Sequence, residues 1–121
     1  MKKIVILTLL LLGLCGCTSN EKSEIKQVTC NEKDEIIEKE SHAMLIDVRT
    51  KEEYEENHLK DAINIPYDEI VQKLSINGTI DFNVPIIVYC KSGTRSNMAA
   101  EALKEEGYKN IYDLGSIDNC K

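Results

Sequence analysis

Residues 85–96 read Pro85-Ile86-Ile87-Val88-Tyr89-Cys90-Lys91-Ser92-Gly93-Thr94-Arg95-Ser96, and the fold follows from how this stretch changes character midway. The unbroken apolar run after Pro85, rich in β-branched side chains, predicts a strand covered on both faces, as in the centre of a parallel sheet. A helix follows almost at once, with Met98, Ala99, Ala102 and Leu103 expected on one face. Gly107 stands where a C-cap glycine belongs, and Ile111 to Leu114 supplies a last strand.

The same alternation extends towards the N-terminus. Asn31 is a cap for a helix from Glu32 to about Glu40 that turns Ile36 and Ile37 inward, and Met44 to Val48 is a short buried strand ending at Asp47 and Arg49. Thr50 with Glu53 forms a capping box that opens a helix through Glu56, which Asn57 is expected to stop in a left-handed conformation. Ala62 to Ile65 is a brief strand ended by Pro66, Tyr67 to Leu74 has helical spacing, and Asn77-Gly78 is a turn. Alternation of this kind implies an α/β domain with a mainly parallel central sheet flanked by helices in three layers. A chain of 121 residues holds one such domain, and its 15 basic against 21 acidic side chains, a net charge of −6, argue against a nucleic-acid partner.

The beginning of the chain has a different role. Two lysines, an apolar run from Ile4 to Leu14 too short to span a bilayer, and Leu14-Cys15-Gly16-Cys17 predict an export signal over residues 1–16. The ending is similar to a bacterial lipobox, with Gly16 as the small residue before a lipidated Cys17; Cys15 is a rival acceptor, preceded by the bulkier Leu14. Residues 17–27 then read as a tether, and 28–121 as the domain, anchored by lipid outside the cytoplasm.

Chemistry is expected beyond the C-terminal end of the central strand, where open α/β sheets place their ligands. Cys90 is the first residue off that strand. A short loop turning into a helix aims several backbone N–H groups inward, Lys91 and Arg95 add positive charge, and Gly93 permits a positive φ, the surroundings expected of a reactive thiolate. An inert buried cysteine is the alternative. Cysteine phosphatases and some arsenate reductases space their Cys and Arg one residue further apart, so this tighter loop favours a cradle around a sulfur bound to Cys90 over one for a tetrahedral oxyanion.

The chain resembles single-domain rhodanese-like sulfurtransferases over residues 28–120. The likeness is carried by Leu45-Ile46-Asp47-Val48-Arg49, Glu53-Tyr54, His58-Leu59, Ala62-Ile63-Asn64-Ile65-Pro66, the segment from Ile87 to Ser96, and then Ala99, Leu103, Gly107 and Tyr108. The resemblance implies that Cys90 takes a sulfane sulfur from a small anionic donor such as thiosulfate, becomes a persulfide, and passes the sulfur to cyanide or a thiol. It implies a cradle of Lys91, Ser92, Gly93, Thr94 and Arg95, with Lys91 and Arg95 attracting the donor, Asp47 and Arg49 supporting, and His58 stabilising a turn. No cofactor is implied, and with His42 and His58 as the only histidines no metal is expected. A single domain of this kind is expected to be monomeric. Asn57 and Asp61 stand where the family often has glycines, and Ser116 and Cys120 replace a common glycine and tryptophan, which suggests a different lid.

Beside Cys15 and Cys17, the chain has Cys30, Cys90 and Cys120. If Cys90 stays free for transfer, Cys30 and Cys120 are left either to join as a disulfide, to remain free thiols, or to let Cys120 react with Cys90. Two classes of function stay open from sequence: a sulfurtransferase, and a non-enzymatic module that senses or carries sulfur or binds a partner.

Overall fold

The computed structural model describes residues 23–77 and 81–121. The expected export signal, Cys17 as the expected lipidation site and the Asn77-Gly78 turn lie outside the described residues or at their border. Five strands form one sheet: β1 Glu24–Gln27, β2 Met44–Asp47, β3 Ile63–Asn64, β4 Pro85–Cys90 and β5 Asn110–Ser116. Their order is β1-β5-β4-β2-β3, and every neighbouring pair is parallel. The helices are α1 Cys30–Lys39, α2 Lys51–Glu56, α3 Ile70–Asn77 and α4 Thr94–Glu106, with a 3₁₀ turn at Ile117–Cys120.

Side-chain alternation along β4 divides the core into two layers. Ile86, Val88 and Cys90 face α3 and α4, where they meet Ile70, Leu74, Ala99, Ala100 and Leu103. Ile87 and Tyr89 face the other way, towards Ile36 and Ile37 of α1, Tyr54 of α2 and Ile117. Helices therefore cover both faces of the central strand, which is why its sequence is apolar without interruption.

Several boundaries differ from the sequence expectation for local reasons. Residues 24–27, expected as the end of the tether, form the edge strand beside β5, from Glu24 opposite Asn110 to Gln27 opposite Asp113. The cap of α1 is Thr29, not Asn31: its hydroxyl accepts from Glu32 N while Glu32 Oε1 accepts from Thr29 N, a reciprocal box unavailable to Asn31 inside the first turn. Asn57 is extended at φ −169°, and Asp61 is the residue that adopts φ +67°. The third helix begins at Ile70, after a turn closed by Glu69 N donating to Pro66 O. On α4 the inward stripe is Ser96, Ala99, Ala100 and Leu103; Met98 falls on the far side and is 51% exposed. Small residues on that stripe let α4 lie close against β4 and β5, which delivers its N-terminus to Cys90.

Candidate active site

The Cys90 side chain ends β4 on the α3–α4 side of the sheet and has no solvent exposure. It is a free thiol. Two backbone amides aim at its sulfur, Gly93 N at 3.0 Å and Ser96 N at 3.3 Å. Both come from the beginning of α4, so the sulfur sits where unpaired N–H groups and the helix dipole converge. Gly93 makes this possible by taking φ +99° as the N-cap, and Ser96 Oγ donates to Gly93 O at 3.1 Å to hold the turn. Lys91, Ser92 and Thr94 project to solvent, while Gly93 and Arg95 are partly covered.

The structure separates the two cations of the loop. Arg95 does not stand open to a donor; its guanidinium binds Glu53 of α2 through Nη1–Oε1 at 2.6 Å and Nη2–Oε2 at 3.1 Å. That pairing holds the Glu53 carboxyl down to about 2 and raises Arg95 further above its ordinary value. Lys91 instead contributes its carbonyl, which accepts from Ser116 Oγ at 2.6 Å. Ser116 lies just after a bulge in β5, where Val88 pairs with Asp113 and Tyr89 already pairs with Gly115. In the sequence Ser116 stands out only as a departure from a family pattern; its contact with the loop depends on that register and has no local signal.

Asp47 and Arg49 are on the opposite side of the sheet from the Cys90 sulfur and act on the scaffold. Asp47 accepts from Arg49 Nε at 2.9 Å and Nη2 at 2.7 Å, and from the Tyr89 hydroxyl at 2.8 Å. Arg49 Nη2 also donates to Asn57 O, and Tyr89 Oη accepts from Leu59 N at 3.0 Å. Burial, reinforced by Asp47, keeps the Tyr89 phenol well above its ordinary range despite the Leu59 amide, so it stays a neutral donor. The network pins the β2–α2 connection to the residue next to Cys90. His58 stacks on Tyr54 at 3.8 Å, and its Nδ1 lies 2.9 Å from Tyr54 O, a turn contact.

Cys30 and Cys120 form a disulfide, with Cα atoms 5.2 Å apart. The bond fastens the 3₁₀ turn to the first residue of α1. Ser116 caps that turn by accepting from Asp118 N at 3.0 Å while it holds Lys91 O, so one side chain links the turn that carries Cys120 to the loop after Cys90.

Comparison with known proteins agrees with this architecture. The family described as "Rhodanese-like domain" matches residues 29–119. Among curated proteins, "Thiosulfate sulfurtransferase PspE" of Escherichia coli is 38% identical over 72 residues, covering 60% of this chain and 68% of that protein. "Thiosulfate sulfurtransferase GlpE" of Coxiella burnetii is 30% identical over 97 residues, covering 79% of this chain and 87% of that protein. Among solved structures, "rhodanese with anions from E. coli" superposes with a TM-score of 0.60 at 35% identity, covering 64% of this chain and 89% of that one.

Proposed function

The chain belongs to the rhodanese-like domain family, and from that premise we propose that it is a sulfurtransferase working through a Cys90 persulfide. The observation that carries this reading is the pair of amides, Gly93 N and Ser96 N, directed at the Cys90 sulfur from a helix start. They stabilise negative charge on sulfur, whether on the thiolate or on the outer atom of a persulfide. In the first half-reaction the Cys90 thiolate attacks the outer sulfur of thiosulfate, a bond forms between the sulfurs, and the donor's S–S bond breaks with its electron pair leaving on sulfite. In the second, cyanide or a thiolate attacks the outer persulfide sulfur and the Cys90 thiolate returns. The loop of Lys91, Ser92, Gly93, Thr94 and Arg95 is the cradle for both steps, and Asp47 with Arg49 supports it from behind.

The test is intact-mass spectrometry before and after thiosulfate. One added sulfur atom that cyanide removes and Cys90→Ser prevents is the expected result; no sulfur on Cys90 from any sulfane-sulfur donor refutes the proposal. The complete burial of Cys90 favours a second reading, a module that holds sulfur without turning it over. Stoichiometric loading with no release to cyanide or thiols would select it.

The setting is part of the proposal. Residues 1–16 direct export, Cys17 carries lipid, and a monomeric domain acts at the outer side of the membrane. The Cys30–Cys120 disulfide supports an oxidising compartment. Incorporation of a labelled fatty acid that Cys17→Ser abolishes is expected; labelling that persists in that variant refutes the assignment.

A further inference from the structure

Among the described residues, most of the charges around the loop are paired, and Lys91 is left over. Glu53 takes both ends of the Arg95 guanidinium, at 2.6 and 3.1 Å, across 42 residues of sequence. The carboxylate is itself fixed, since Oε1 accepts from Thr50 N at 3.2 Å and Thr50 Oγ1 at 3.1 Å in the capping box of α2. Beyond the loop, in the turn that Ser116 caps, Asp118 pairs with Lys121 at 2.8 Å, and the more distant Lys91 adds to the pull on the Asp118 carboxyl. Lys91 makes no ion pair among the described residues. Lys91, Arg95 and Lys121 thus stand against Glu53 and Asp118, on a chain of net charge −6.

We infer that Glu53 is a specificity-determining positioning residue: by occupying Arg95 it makes the cradle select sulfane-sulfur donors of low negative charge, the class of alkyl persulfides, over dianions such as thiosulfate. The inference rests on the sulfur-transfer reading above and ranks its donors. With a persulfide R–S–SH, the Cys90 thiolate bonds to the outer sulfur, and the bond between the donor sulfurs breaks with its electron pair leaving on R–S⁻. Nothing is oxidised or reduced overall, and one negative charge is present before and after. With thiosulfate the same bond changes bring three negative charges into the cradle. A free guanidinium beside the loop would offset this by about fivefold for each unit of donor charge, and the clamp withholds that help.

Glu53→Gln tests this, because glutamine keeps the capping role at that position while losing the charge. Sulfur loading of the full chain is followed with thiosulfate and with 2-hydroxyethyl persulfide. The ratio of kcat/KM for thiosulfate to that for the persulfide is expected to rise about fivefold or more. Adding Arg95→Gln to Glu53→Gln is expected to cancel the rise. A clamp that served only the fold would slow both donors alike, so an unchanged or lower ratio overturns the inference. Salt supplies a second check: the fall in thiosulfate loading between about 0.02 and 0.5 M salt is expected to be steeper in Glu53→Gln, where Arg95 is released, than in the wild type, and equal salt dependence overturns the inference. Failure of both donors to load Cys90 in the wild type overturns the sulfur-transfer reading itself.

Discussion

Replacing both Cys30 and Cys120 by serine is expected to remove a large share of the stability of this domain. The bond closes a loop with a sequence separation of 90 residues. In the chain-entropy account a loop of about that length restricts the unfolded ensemble by roughly 15 cal/mol/K, or about 4.6 kcal/mol at 25 °C. A Cα separation of 5.2 Å lies well inside the range that disulfides span. Domains of this size are stable by roughly 5–15 kcal/mol in all, so the loss is between about a third and nearly the whole. Urea denaturation followed by far-ultraviolet circular dichroism is the assay. The double variant should unfold at much lower urea and with a steeper dependence on denaturant, because its unfolded chain is no longer held compact. The wild-type protein with a reductant should behave likewise. A stability difference below about 1 kcal/mol would refute the reasoning that the staple constrains the unfolded chain.

Three further outcomes follow from the site. Tyr89→Phe takes a donor from Asp47 and leaves the buried side of the Leu59 amide without its acceptor, so urea melts should show a loss of about 1–3 kcal/mol; unchanged stability would mean that the network does not pin the β2–α2 connection. Gly93→Ala finds space, with Gly115 Cα 3.9 Å from the new methyl, but not a permitted backbone at φ +99°, so it should cost about 1–2 kcal/mol and slow sulfur loading on Cys90; loading and melts equal to wild type would contradict this. Glu53, held at about 2 against an ordinary 4.5, has a depressed folded-state value, so its contribution is present above the ordinary carboxylate range and lost as pH falls from about 4.5 towards 2. Acid titration by circular dichroism should therefore show a flatter profile over that window in Glu53→Gln, and superimposable profiles would count against the pairing with Arg95.

The features legible in the sequence were those made within a few residues. The β4 run, the Thr50–Glu53 box, the C-cap at Gly107 and the loop after Cys90 each rest on bonds or periodicities of short range, and each is in the structure. The misreadings were also local, but they involved competing candidates. Thr29 and Asn31 both have capping side chains, and only the reciprocal bond from Glu32 decides between them. Asn57 and Asp61 both tolerate positive φ, and the turn used only the second. Met98 has the hydropathy of a core residue, but the side of α4 that meets the sheet is set by where the helix begins.

What the sequence by itself determined was the class of fold and the position of Cys90, the proposed nucleophile, because a buried strand followed at once by a glycine-opened helix is written in consecutive residues. What only the tertiary structure decided was who partners whom around that cysteine. Glu53 with Arg95 and Asp47 with Tyr89 are each 42 residues apart, Lys91 with Ser116 is 25, and Cys30 with Cys120 is 90. Residues 24–27 became a strand for the same reason, since β5 offered them an open edge. Strand order and register bring such groups together, and no periodicity in the chain encodes either. The charge around Cys90 is therefore a property of the folded sheet and helices, although every cation in it could be read from the sequence.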